Sequence, residues 1–357
     1  MKILLITTGG TIAAKKDLEG LTPFEKGSAL FSEIAELSEI TESNYSAAAG
    51  LEICALFLKD SSNVNPDDWI LIIKKIYENK NLFDGFIITH GTDTMAYTSS
   101  ILSYVLGSLE KPVIITGSMI PASYPESDAK YNLISAFKFM ALLLDRGQSG
   151  VSICFNGKLM HGTRVKKADS QSVDAFTSVS YNDIGIIKNG KAEITITPFI
   201  DKTGLNNFSY NPYNPHNPHN PIDNIKFEKN IFPIKLFPGF KADYFNKIID
   251  IKPSAIIIES FGAGGIPYLG ENLLPLVEKA VLQDIIIVIS TQCFKGAVDL
   301  SLYEVGQKAL KAGAVSSHDM TYEATVTKLM WLIPLAPVKK VKEFFAHNFC
   351  DEIKNIC

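Results

Sequence analysis

The stretch KILLITTGGTIAAK, Lys2–Lys15, sets an apolar run against a bare turn of two glycines between threonines. The same design recurs in FDGFIITHGTDT (83–94), KPVIITGSMIP (111–121), AIIIESFGAGG (255–265) and DIIIVISTQCFKG (284–296). Near-continuous Ile and Val imply strands buried on both faces, hence a parallel sheet covered by helices. After HGTDT, residues Ile101, Leu102, Val105, Leu106 and Leu109 fall at helical spacing, as do Leu133, Ile134, Phe137 and Ala141. Asn156-Gly157 inside CFNGKLM predicts a hairpin. The expected fold is therefore α/β: a larger N-terminal domain whose mainly parallel sheet is flanked by helices and carries a β-hairpin addition, then a smaller C-terminal α/β domain.

The division between them follows composition. Residues 206–224, NNFSYNPYNPHNPHNPIDN, form an Asn-Pro run in which proline removes amide donors and biases each preceding residue away from helix. Expected boundaries are 1–197 for the N-terminal domain, 198–226 for an Asn/Pro-rich linker or loop insertion, and 227–357 for the smaller domain. His216 and His219 stand at HxxH spacing in the run, but without a helix to align them or a third ligand no metal site is expected.

The chain of 357 residues is 46% hydrophobic and 20% charged, with a formal charge of −4. That balance describes a globular chain and argues against nucleic acid as the main partner, since KNGK and VKKVK are too short to cluster charge on phosphate. Ile3–Ile6 is shorter than a signal-peptide core, and no run reaches the ~20 apolar residues of a membrane span, so a cytoplasmic protein without a membrane partner is expected. Five cysteines without CxxC spacing fit reduced thiols. Cys293 is expected as a small buried hydrophobe, and Cys350 and Cys357 as incidental.

In an open parallel sheet, ligands bind beyond the carboxyl ends of the strands. Those ends carry hydroxyls: Thr7, Thr8 and Thr11 in TTGGT; Thr89, Thr92 and Thr94 with His90 and Asp93 in THGTDT; Asp60, Ser61 and Ser62 in LKDSSN. The turn has neither the GxxxxGK[ST] spacing of a phosphate loop nor the GxGxxG of a dinucleotide site, and the chain has no GxSxG elbow. A threonine beside glycines allows close approach of a substrate and backbone amides facing an oxyanion; it also suits a plain turn and helix cap.

Taken together, TGGTIA and HGTDTMAYT resemble the two signature motifs of the bacterial-type L-asparaginase family, and the chain is similar to its cytoplasmic type I branch. The likeness runs through DSSN, PDDW, KPVIITGSMIP, SDAKYNL, FNGKLMHGTRVKKADSQSVDAF, LFPGF, ESFGAGGIP, STQCFKGAVDLSLYEVG and DMTYEATVTKLMW. It implies hydrolysis of L-asparagine to L-aspartate and ammonia without metal or organic cofactor, weak glutaminase activity, and a homodimer or homotetramer. Thr11 would be the nucleophile that forms an acyl-enzyme, supported by Thr92, Asp93 and Lys167, with Lys166 the alternative lysine. The resemblance implies Lys167 of the two, because the family's lysine precedes the DAF aspartate by a fixed interval that, counted from Asp174 here, falls on it. Asp60, Ser61 and Ser62 would hold the substrate's amino and carboxylate groups, and the backbone at Gly10 and Gly91 would line the site. His90 is unneeded in this scheme.

Two departures stand out. Leu21 replaces a tyrosine that many members carry in the loop after the nucleophile. The allosteric asparagine site of some type I members involves TQC, here Thr291, Gln292 and Cys293, but Glu259 stands where they have arginine. A carboxylate there would repel the effector's, which implies weak or absent cooperativity. Two other readings are the ammonia-supplying component of a tRNA amidotransferase, disfavoured because the chain starts directly on its first strand, and a catalytically silent amino-acid binding module.

Overall fold

The computed structural model describes residues 1–10, 12, 50–198, 200–201 and 225–354, and the backbone alone of 14–17 and 20–23. The opening run forms strand β1 (Ile3–Gly9); β2 (Ala14–Asp17) and β3 (Gly20–Pro23) make a separate antiparallel hairpin. β1 lies between β4 (Leu51–Lys59) and β5 (Gly85–Thr89), and the parallel sheet continues through β6 (Pro112–Thr116) to β7 (Gly150–Phe155). Every residue of β5 and β6 is buried, as expected of strands covered on both faces.

The Asn156-Gly157 turn takes positive φ at both residues, 47° and 72°, and joins β7 to the antiparallel β8 (Lys158–His161). A second Asn-Gly turn, Asn189-Gly190, joins β11 (Gly185–Lys188) to β12 (Lys191–Ile194) at the sheet's edge. By composition, KNGK reads there only as a short basic cluster. Between these hairpins β9 (Val165–Lys167) and β10 (Phe176–Ser178) pair antiparallel outside the main sheet.

Helix α1 (Pro66–Asn79) begins with a capping box: the Asn65 side chain accepts from backbone and Asp68 reaches back to Asn65 N–H. Helix α2 (Met95–Leu106) is buried on nearly every side rather than along one stripe. Its small hydroxyls make this tolerable, because Ser100 and Ser103 donate to the carbonyls four residues back. Helix α3 (Ala129–Asp145) covers the opposite face of the sheet, where Leu133, Phe137 and Met140 meet Leu5, Ile87 and Ile114.

The second domain has four parallel strands in sequence order: β13 (Ile231–Lys235), β14 (Ala255–Ser260), β15 (Ile286–Thr291) and β16 (Val315–Ser316). Side chains alternate between two cores. Ile256, Ile258, Ile287 and Ile289 pack under α4 (Ala242–Asp250), α5 (Leu274–Leu282) and α6 (Glu304–Lys311). Ala255, Ile257, Ile286 and Val288 face inward, joining α1, α2, α7 (Tyr322–Leu332) and α8 (Val338–Phe345) in one core shared by both domains. Tyr104 of α2 stacks on Trp331 of α7 at 5.4 Å, nearly parallel.

Polar pairs are also buried at this junction. Arg164 Nη1 meets Asp319 Oδ2 at 2.8 Å, and Lys328 Nζ meets Glu352 Oε1 at 2.6 Å. Cys350, expected as incidental, is buried with its thiol donating to Ser103 O, and burial pushes that thiol well up from its ordinary value. No helix among the described residues is long and apolar enough to cross a membrane. The Asn-Pro run and its histidines, Thr11 and Cys357 lie outside the described residues.

Candidate active site

Three strand ends meet where the glycines are. Gly9 and Gly10 have φ of 98° and 79°, and the Gly10 N–H donates to Lys59 O at 2.9 Å, tying the end of β1 to that of β4. A Cβ on Gly10 would lie 2.3 Å from Gly91 Cα, and one on Gly91 would lie 2.6 Å from Ser61 Cβ. Only glycine permits both contacts. This packing brings TTGGT, DSS and HGTDT to one place. It also commits the Gly10 N–H, which is therefore unavailable to an oxyanion; the Thr92 N–H has no acceptor among the described residues.

The DSS turn is fastened to the HGTDT turn. Ser61, buried, accepts from Asp93 N at 3.2 Å and receives the Thr94 hydroxyl on its carbonyl at 2.8 Å. Asp60 caps this turn, accepting from Ser62 N at 2.8 Å and from Ser62 Oγ at 2.5 Å through one carboxylate oxygen. Its other oxygen accepts no hydrogen bond among the described residues, and Asp60 and Ser62 are both exposed.

Lys167 arrives from β9, opposite Phe176 of β10. Its Nζ lies 2.8 Å from Thr92 Oγ1 and 2.7 Å from Asp93 Oδ1. Lys166, on the other side of the strand, feels Glu323 instead, lowering that carboxyl's pKa against a larger upward push from burial. Of the two lysines, Lys167 is the one that joins the threonine and aspartate. Asp174 forms an ion pair with Lys158 at 2.7 Å. Thr11 follows Gly10 directly in sequence and lies outside the described residues; Leu21 falls on β3 opposite Lys16.

His90 has both ring nitrogens engaged inside the protein. Nδ1 donates to Gly91 O at 2.7 Å, a tautomer assigned because a carbonyl can only accept; Nε2 then accepts from Thr98 Oγ1 at 3.0 Å, which accepts from Trp69 Nε1 at 2.9 Å. Burial lowers the imidazole's pKa, partly offset by the Gly91 carbonyl and by Asp68, so the ring is neutral. The sequence offered no sign of this chain, whose members are 8 and 29 residues apart.

The TQC residues lie at the end of β15 in the second domain. Thr291 donates to Gly262 O at 2.7 Å and accepts from Cys293 N at 3.0 Å. Gln292 Nε2 bridges Leu236 O and Glu259 O at 2.7 and 2.8 Å. Cys293 is exposed, against the buried position expected: β15 ends at Thr291, so the alternation that would bury the thiol stops short of it.

This geometry brings an amine, a hydroxyl and a carboxylate together at strand ends, a set of groups of the kind that acyl transfer uses. Residues 2–199 match the family profile for Asparaginase, N-terminal, and residues 230–345 that for the Glutaminase/Asparaginase C-terminal domain. The chain is 35% identical to L-asparaginase of Thermococcus kodakarensis over 354 residues, 99% of each chain. It is 29% identical to one of the proteins of the glutamyl-tRNA(Gln) amidotransferase of Pyrococcus abyssi, over 99% of this chain and 76% of that one. Its fold overlays that of L-asparaginase I from Vibrio cholerae with a TM-score of 0.80, at 28% identity and 99% coverage of both chains. Matched through both domains, the chain belongs to the asparaginase family of amidohydrolases.

Proposed function

We propose that the protein hydrolyses the side-chain amide of L-asparagine to L-aspartate and ammonia through a threonine acyl-enzyme, in the cytoplasm and as a homodimer or homotetramer. The observation that carries this reading is the meeting of Lys167 Nζ with Thr92 Oγ1 and Asp93 Oδ1 beside the Gly10–Gly91 contact. Thr11 Oγ attacks the amide carbon while its proton passes by way of Thr92 to Lys167, once that lysine is deprotonated. The C–N bond then breaks, and ammonia leaves with the transferred proton. Water attacks the resulting ester under the same base, which releases aspartate and restores the Thr11 hydroxyl. Asp93 holds the lysine in place. The Thr92 N–H is the donor proposed for the oxyanion.

The outward oxygen of Asp60 pairs with the substrate ammonium, and Ser61 and Ser62 take its carboxylate. A pocket of this kind rejects one extra methylene by only about 1–3 kcal/mol, so glutamine is expected as a slow substrate. The 29% identity to the amidotransferase protein favours a second reading, in which the ammonia is passed to a tRNA-bound acceptor. Ammonia release from free asparagine, without tRNA or a partner protein, and its loss in Thr11→Ala decide for the first. No release from asparagine, or equal rates in Thr11→Ala, would refute it.

A further inference from the structure

We infer that a cleft at the junction of the two domains binds a metabolite-sized organic polyanion, carrying phosphate-ester or multiple carboxylate groups. The cleft is about 760 Å³, within the range of small-molecule sites. One wall runs from Ser178 at the end of β10 through Ser180, Tyr181 and Asn182; the other is Lys295–Ala297, beyond β15. The Gly296 N–H donates to Ser180 Oγ at 3.2 Å where the walls meet. Thus both domains shape it.

Its charge selects the ligand. Lys295 and Lys354 line the cleft, both exposed, and neither ammonium has a carboxylate partner among the described residues. The lining acid, Asp319, is already committed: Oδ2 accepts from Arg164 Nη1 at 2.8 Å and Oδ1 from Lys354 N at 2.9 Å. Arg164 is fully buried beneath the Tyr181 ring, 5.3 Å from its centroid, and its Nη2 has no acceptor among the described residues. Behind it, Asp351 takes the Tyr181 hydroxyl. Ser178 Oγ is spent on Asp183 Oδ1 at 2.6 Å, so among the described residues the two open ammonium groups, the Ser180 hydroxyl and the Asn182 amide remain to receive an anion.

The backbone around the cleft is held in an uncommon shape. Seven non-glycine residues among those described have left-handed φ. Asn156 and Asn189 are hairpin turns, and Lys252 and Asp284 follow helices α4 and α5. The remaining three are Ser180 (52°), His318 (52°) and Asp351 (58°). Ser180 lines the cleft, His318 precedes Asp319, and Asp351 bonds Tyr181 and Arg164. Such conformations persist only where the surroundings enforce them, and here they fix the cleft's polar groups in advance of a ligand. Ser178, on the same wall, pairs with Val165 of β9, two residues from Lys167, so an occupant braces the strands that carry that lysine.

Calorimetric titration of the full-length protein with citrate and, separately, with ADP tests the proposal without reference to turnover. Saturable binding of at least one is expected, weakened about tenfold or more in Lys295→Gln/Lys354→Gln, because each charge-assisted bond is worth at least that factor. Asparagine turnover without the probe is expected to be unchanged in that variant. Citrate alone would assign a polycarboxylate, ADP alone a phosphate ester. Three results would overturn the site: no saturable binding of either probe, binding equal in the double variant, or displacement by aspartate.

Discussion

Two lysine–carboxylate pairs of almost equal length, Lys167–Asp93 at 2.7 Å and Lys328–Glu352 at 2.6 Å, differ in everything around them. In the first the side chains are 17% and 61% exposed; in the second both are 0%. The first pair is open to solvent on its aspartate side, as the base proposed for acyl transfer must be reachable by substrate and water. The second pair is sealed, and Lys328 Nζ also donates to His347 O at 2.6 Å, pinning the C-terminal segment onto α7. Contact distance thus does not tell the two pairs apart, while access to solvent does: one is open to a ligand and the other is sealed.

Breaking the exposed pair should damage catalysis and spare the fold. Lys167→Met is expected to lower kcat for asparagine by about 100- to 10,000-fold, the range for a lost general base, with an unchanged melting temperature. A large fall in melting temperature would move Lys167 into the structural class. Breaking the sealed pair should do the reverse: Lys328→Met leaves the buried Glu352 carboxylate without its cation, held by the Phe349 and Cys350 N–H groups, at about 3–5 kcal/mol of stability by urea unfolding. The paired change Lys328→Met/Glu352→Gln, which keeps an acceptor for those N–H groups, should recover most of that loss, and failure to recover would mean the charges themselves stabilise the junction.

A smaller effect tests the glycine contact. Gly91→Ala inserts a methyl 2.6 Å from Ser61 Cβ, so the DSS and HGTDT turns must separate, and kcat/KM should fall at least about tenfold. The smallest expected effect is on pH. Burial brings His161 down to about 4 and also lowers His90, each from an ordinary value near 6.5. The unfolded chain therefore binds more protons below pH 6.5, and stability is intact above that pH and is lost as it falls toward about 4. His161→Gln should flatten the urea midpoint across that window; an unaltered slope would show that other groups govern it.

What could be read from the sequence was what repeats or has a fixed chemical grammar. The Ile/Val runs gave the buried parallel strands, and Asn156-Gly157 gave the hairpin, because both are local patterns. Asn189-Gly190 had the same grammar and was masked by the lysines beside it. TTGGT and HGTDT pointed to one another only through the family likeness; their physical reason, two glycine backbones in contact, is a relation across 81 positions that no window contains. The Arg164–Asp319 and Lys328–Glu352 pairs left no trace either, as buried charges at separations of 155 and 24 residues look like ordinary surface residues in a sequence. The buried place expected of Cys293 came from residue type alone, since cysteine is usually a small buried hydrophobe; its position two residues beyond the end of β15 decides otherwise.

The chain has two tryptophans, and the fold has given them different neighbours. Trp69 ends the hydrogen-bonded line through Thr98 and His90 to the Gly91 carbonyl, while Trp331 lies stacked on Tyr104 between the domains. The protein therefore carries two built-in optical gauges. Trp69 emission is expected to respond to a ligand that shifts the Gly91–Thr92 peptide, and Trp331 emission to loosening between the domains; single Trp→Phe variants would let each be followed in real time without any added dye.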